Sequence, residues 1–168
     1  MKEDIERLVQ KLGLVPHPEG GYFKETYRSI GAIPTGVLGK PFQGNRNFCT
    51  AIYFLLTSDS FSAFHKIEQD EIWHFYCGAP ITLHQISPEG DYSKQLIGSN
   101  ILTGETPQLV VPARSWFAAA VDEKDRYALV GCTVAPGFDF SDFTLANCDS
   151  LVAKFPQHKE IIVQFTRF

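Results

Sequence analysis

The chain has 168 residues, 44% of them hydrophobic and 13% aromatic, including 14 Phe, which is enough apolar side chain to bury one core and excludes a disordered polypeptide. Its 15 basic and 19 acidic side chains leave a formal net charge of −4 with no long run of one sign, so neither nucleic acid nor an anionic membrane is an expected partner. No apolar run reaches the ~18–20 residues of a membrane span, and the charged start from Met1 to Arg7 does not read as a signal peptide; a cytoplasmic location is expected.

Ile5, Leu8, Val9 and Leu12 recur at i, i+3, i+4 and i+7 and predict an amphipathic helix that Gly13 ends. Two prolines and a Gly pair make residues 15–21 an ordered loop. Alternating side chains predict a strand over residues 22–28, with Phe23, Glu25 and Tyr27 on one face and Tyr22, Lys24, Thr26 and Arg28 on the other. Residues 29–47, rich in Gly, Pro and polar side chains, form the longest predicted loop, of the kind that covers a site or reaches a partner. Short strands are then predicted at residues 48–57, 61–67, 71–77, 81–87, 93–98, 108–111, 116–121 and 127–134, with turn residues between them. That regular spacing is the pattern of a sandwich or barrel, and the lack of βαβ alternation excludes a parallel Rossmann-like sheet.

After Pro136 and Gly137, the aromatic segment 138–143 is expected to pack across the barrel or a partner, with its two Asp solvated or capping. Asp149 or Ser150 is the predicted cap of a short helix, and Pro156 the first residue of a last helix with Ile161, Ile162 and Phe165 on its apolar face. Residues 1–168 thus read as one domain. Cys49, Cys77, Cys132 and Cys148 are too scattered for a zinc site and are expected to be buried free thiols.

The richest chemistry lies in residues 64–78, read as two strands joined by an acidic turn. A His and a carboxylate on facing strands can bind a metal, share a proton or merely satisfy one another. Parity puts Glu71, Trp73, Phe75 and Cys77 on one face and Ile72, His74 and Tyr76 on the other. An inward Glu71 needs a partner, and His65 is the expected one, with His74 turned away.

His65, Glu71 and Gly78, followed by residues 110–117 with Pro112, resemble the two motifs of the cupin superfamily, G-x5-H-x-H-x3-4-E-x6-G and G-x5-P-x-G-x2-H-x3-N. More closely, His17-Pro18-Glu19-Gly20-Gly21-Tyr22-Phe23, residues 70–76 and residues 134–140 are similar to three signatures of a small cupin branch of unknown function. The resemblance implies an all-β fold, a double-stranded β-helix or jelly-roll barrel, here with a short N-terminal helix and C-terminal helices, and a homodimer or larger homo-oligomer. Ala63 and Phe117 stand where that pattern has metal-binding His, Arg114 stands at its Gly, and the gap from His65 to Glu71 is one residue longer than the pattern allows. With only His65 and Glu71 left as ligands, no metal or other cofactor is expected, although a divalent metal stays open as an alternative.

Gly21-Tyr22-Phe23-Lys24-Glu25 is also similar to the G-x-F-x-E strand of deoxysugar-nucleotide epimerases, cupins that use a His base and a Tyr acid without metal. That likeness implies a small polar metabolite in the barrel and isomerase or epimerase chemistry on a sugar or sugar nucleotide. In this reading His65, oriented by Glu71, is the base and Tyr22 the acid; Tyr53, Tyr76 and Tyr127 are further candidates for the acid. Lys24 and Arg28 would hold an anionic group, and Tyr53, Trp73 and Trp116 would line the ligand site. Two other readings remain open: a non-enzymatic small-ligand binder or structural dimer, and a metal-dependent oxygenase or isomerase. Blander roles compete at each position: a structural His65–Glu71 pair, core packing for both Trp, and turn chemistry for Glu19-Gly20-Gly21.

Overall fold

The computed structural model describes residues 2–167. Its elements in chain order are α1 (Lys2–Leu12), β1 (Val15–Pro16), β2 (Tyr22–Arg28), β3 (Ala32–Ile33), α2 (Thr35–Leu38), β4 (Arg46–Asn47), β5 (Thr50–Thr57), β6 (Phe61–Lys66), β7 (Asp70–Gly78) and β8 (Ile81–Ile86). There follow β9 (Tyr92–Ile97), β10 (Gln108–Val111), β11 (Trp116–Val121), β12 (Tyr127–Ala135), β13 (Thr144–Leu145), α3 (Cys148–Lys154) and α4 (Lys159–Gln164). Two antiparallel sheets form the jelly roll, ordered β1-β2-β5-β12-β7-β10 and β13-β6-β11-β8-β9. No helix among the described residues is long and apolar enough to cross a membrane.

Strand alternation divides the apolar side chains among three clusters. Between the sheets lie Phe54, Leu56, Trp73, Leu83, Phe117 and Val130. Phe64 and Ile86 point out of the smaller sheet and are covered by Leu151 and Phe155, with Ile162 from α4 and Phe165 just after it. Leu55 and Leu129 point out of the larger sheet and are covered by Ile5, Leu8, Val9 and Leu12 of α1. β5 is therefore buried on both faces, which explains its unbroken apolar run; each such side chain contributes about 1.5–3 kcal/mol by leaving water.

Several sequence expectations need correction. Residues 29–47 are not one long loop but carry the hairpin of β3 and β4 with α2 between them, in strands too short to show a period. Asn147, not Asp149 or Ser150, caps α3 by accepting the Ser150 N–H. Pro156 opens a 3-10 turn, and α4 follows it. All four cysteines are free, yet only Cys132 and Cys148 are buried; Cys77 is exposed because a register shift opposite Leu129 and Val130 interrupts the alternation of β7.

The largest correction concerns the acidic turn. β6 pairs with β11 and β13 in the smaller sheet, whereas β7 pairs with β12 and β10 in the larger one. Residues 67–69 therefore cross between sheets rather than close a hairpin. His65 and Glu71 view the interior from opposite walls and are not cross-strand neighbours.

Candidate functional site

A cavity of about 260 Å³ lies between the two sheets, walled by Phe23, Ile52, Phe54 and Val134 and by Phe138, Phe140 and Phe143 of the aromatic segment; His17, Glu19, His65, Glu71 and Cys132 supply most of its polar groups. A mainly apolar wall with a few converging polar groups is the usual make-up of a small-molecule site.

The loop between β1 and β2 delivers Glu19. Gly20 and Gly21 have φ of 116° and 71°, which only Gly adopts freely, and a Cβ would meet the Phe61 carbonyl at the first and the Leu55 carbonyl at the second. The backbone can thus press against β5 and β6, where the Ala63 N–H donates to the Glu19 carbonyl at 2.8 Å. Turn chemistry here serves to place a buried carboxylate in the cavity.

Glu19 is the hub of the site. Its Oε2 is 3.1 Å from His65 Nε2 and 3.3 Å from His17 Nδ1, and its Oε1 accepts the Ser62 hydroxyl at 2.8 Å. Burial alone would raise this carboxyl; the charges and hydrogen bonds of His65, His17 and Ser62 outweigh it and hold Glu19 below the usual carboxylate range. Burial pulls the His65 imidazole below its ordinary value, with the Glu19 charge and the Ala63 carbonyl opposing. His65 Nδ1 is 2.8 Å from the Ala63 carbonyl, which can only accept, so Nδ1 carries a proton. Nε2 then meets Glu19 across one further proton, shared by the pair.

Glu71 occupies a contrasting environment. Burial and the nearby Glu19 charge push its carboxyl up to about 8, against smaller opposing effects of Cys132 and Trp73, so Glu71 is a neutral acid at pH 7. Burial, followed by the neighbouring Glu71, raises the Cys132 thiol as well, so it stays protonated. The Trp73 indole N–H lies beside the Glu71 carboxyl but completes no hydrogen bond with it. These three protonated groups meet on the larger sheet.

The aromatic segment is held by two arginines. Arg28 donates from Nε and Nη2 to Glu25, from Nη1 and Nη2 to the Phe138 carbonyl, and from Nη1 to Asn47. Arg46 makes a buried bidentate pair with Asp142, at 2.6 Å for both contacts, and Gln69 Nε2 donates to the same carboxylate at 2.7 Å. Asp142 is thus neither solvated nor a cap, as its sequence context had suggested; Asp139 does cap, accepting the Ser141 N–H. Phe140 stacks on His17 with ring centres 6.0 Å apart, and Phe143 lies 5.4 Å from His65.

Of the residues singled out in sequence, His65, Glu71 and Arg28 line the cavity. The expected His65–Glu71 pair does not form, because Glu19 is the partner of His65. Tyr22 faces away from the cavity and packs under α1, as does Tyr53, whose ring also contacts Tyr76. Lys24 lies on the same outer face, against Gly13. Trp116 packs toward the C-terminal helices under Lys66. Trp73 is core, edge-on to Phe54 and Phe117. His74 is turned away from Glu71 and bonds Thr133 at 3.0 Å. Arg28 reaches the cavity only through a bulge: the register of β2 on β5 shifts between Glu25 and Tyr27, which moves Arg28 onto the face of Phe23 and Glu25. Sequence reasoning missed Glu19, His17 and Cys132 as site residues. The signature containing the first two was visible, as was the inward parity of Cys132 with Val130 and Val134.

Residues 6–146 match the family described as "Cupin superfamily (DUF985)". The chain belongs to the cupin superfamily. Among similar proteins, this cupin is 34% identical over 149 residues to the uncharacterized protein YML079W of Saccharomyces cerevisiae, covering 83% of this chain and 74% of the yeast protein. The crystal structure of protein SO0799 from Shewanella oneidensis superimposes with a TM-score of 0.86 at 36% identity, covering 96% of each chain. A hypothetical protein from Leishmania major gives 0.88 at 34% identity, over 97% of this chain and 98% of its own.

A cupin fold raises the question of a metal, and the residues present do not fit one. By the motif resemblance Ala63 and Phe117 stand where two metal-binding His would be expected, and the Phe117 ring centre is only 4.0 Å from that of His65. His65 is engaged by Glu19 and Ala63, and Glu71 stands beside Cys132. No group of three or more His, Cys, Asp or Glu among the described residues is placed to hold a metal ion.

Proposed function

We propose that this cupin is a small-molecule enzyme of the isomerase or epimerase type, moving protons on a polar metabolite in its barrel without a metal. One observation carries this reading: a single cavity holds two acid–base units in opposed environments, a neutral Glu71 and a Glu19 that is held ionised or shares a proton with His65. Two groups whose surroundings drive their protonation apart can serve as acid and base at one pH, and such pairs contribute roughly 10²–10⁴-fold each to proton transfer. The cavity, at about 260 Å³, lies below the ~300–1,000 Å³ typical of drug-sized ligands, so it suits a sugar ring or smaller; the nucleotide of a sugar nucleotide would lie outside it.

The test is solvent-deuterium incorporation into a panel of sugars, sugar nucleotides and keto acids, using protein stripped with a chelator. At least one compound is expected to take up deuterium at carbon, and Glu71→Gln, which keeps the size but cannot give up a proton, is expected to slow it by about 100-fold or more. Incorporation that needs added metal, or that is unchanged in Glu71→Gln, would count against the proposal.

A further inference from the structure

We infer that His17 is the base that touches the substrate, acting through Nε2, and that the substrate is a small uncharged hydroxy-aldehyde or hydroxy-ketone; both points rest on the proton-transfer reading above. His65 is the obvious base until its two nitrogens are accounted for. Nδ1 is committed to the Ala63 carbonyl at 2.8 Å and Nε2 to Glu19 at 3.1 Å, leaving no lone pair for a ligand. His17 differs. Its Nδ1 lies 3.3 Å from the same Glu19 oxygen and also 3.4 Å from the Glu19 backbone N–H, which is directed at it, while its Nε2 has no hydrogen-bond partner among the described residues. Of these two contacts the carboxylate is the shorter and the charged one, so it draws the proton onto Nδ1 against the competing Glu19 N–H and leaves the Nε2 lone pair open, the arrangement by which a third group orients a catalytic imidazole. The ring is also held in place: Phe23 and Phe143 meet it edge-on at 4.6 and 5.9 Å, and Phe140 stacks over it. In this assignment His65 and Glu19 are positioning residues.

The class of substrate follows from what the cavity offers. Glu71 and Cys132 line the cavity and present O–H and S–H groups, which suit an oxygen that gains electron density, such as a carbonyl becoming an enol. Arg28 is the only Arg or Lys that lines the cavity, and its guanidinium is fully committed: its five N–H groups go to Glu25, Asn47 and the Phe138 carbonyl. Glu25 and Asp139 flank it. An anionic substrate would therefore meet carboxylates and no free cation, whereas an uncharged one would not.

The step balances without a co-reactant. His17 Nε2 takes the proton from the carbon next to the carbonyl, and that C–H pair becomes a C=C bond. The carbonyl π pair moves to oxygen, which takes the Glu71 proton. Return of the His17 proton to the former carbonyl carbon of the enediol, with Glu71 recovering a proton from the hydroxyl on the neighbouring carbon, gives the isomer; return to the original carbon on the same face regenerates the substrate.

The inference is tested in D2O with two- to six-carbon hydroxy-aldehydes and hydroxy-ketones, alongside their phosphate and carboxylate counterparts, following deuterium at carbon by NMR. Uncharged compounds are expected to exchange, and His17→Asn to lower the rate about 100-fold or more with its melting temperature kept. Added imidazole is expected to restore part of the rate to His17→Ala, which also covers failure of the Asn variant to fold. His65→Asn is expected to shift the pH profile, as a positioning role requires. If His17→Asn keeps the wild-type rate while Glu71→Gln loses it, His17 is not the base and the proton-transfer reading survives. Exchange confined to the anionic compounds would overturn the substrate class alone. No exchange with any compound would overturn both this inference and the reading beneath it.

Discussion

Glu71 shows how burial rather than residue type sets chemistry. Its carboxyl rises from 4.5 to about 8, so the folded state holds a proton that the unfolded chain releases. The sign follows directly: this contribution to stability is present in full below pH 4.5 and is lost as pH climbs through 8, at about 1.4 kcal/mol per pH unit in between. Urea titrations between pH 5 and 8 are therefore expected to show Glu71→Gln gaining on the wild type as pH rises; parallel curves for the two proteins would mean that Glu71 is ionised when folded. The sequence made Glu71 and His65 visible because an inward Glu or His on a strand demands a partner. It hid the partner, since Glu19 lies 46 positions before His65 and reaches it only through a loop over β6. Tyr22 was drawn into the predicted site by a resemblance, yet its parity opposite Phe23 already placed it on the other face.

At the scale of elements, the nine predicted strands were legible to within one or two residues from alternation and turn chemistry, but the two-residue strands β1, β3, β4 and β13 were not, and neither were two features without a sequence period. One is the bulge in β2 that carries Arg28 to the cavity. The other is the tie between the β3–β4 hairpin and the aromatic segment, where Arg46 and Asp142 are 96 residues apart in sequence. A buried ion pair gains its coulombic energy only while both members stay, and removing one strands the other's charge. Asp142→Asn is expected to cost about 3–5 kcal/mol in urea unfolding, whereas replacing both members with apolar residues, Arg46→Met with Asp142→Leu, is expected to cost less than the single change. A double variant less stable than Asp142→Asn would show that the pair contributes more than it costs to bury.

For the molecule as a whole, one jelly roll was expected from short strands at regular intervals and from three signatures, and two antiparallel sheets are what forms. What composition and period could not convey is which strand joins which sheet, and this decided the site: with β6 and β7 in different sheets, a supposed pair becomes two units across a cavity. The fold brings a neutral acid and a Glu19-bound pair of histidines into one apolar chamber and closes it with an aromatic segment held by Arg28 and Arg46. The most direct measurement of that arrangement needs no substrate: a carbon-13 NMR pH titration of the Glu side-chain carboxyls, assigned by comparison with Glu71→Gln. A resonance titrating near pH 8 and missing from the variant is the expected result. A Glu71 carboxyl that instead titrates at an ordinary value of about 4.3 would contradict the neutral acid on which the proposed chemistry depends.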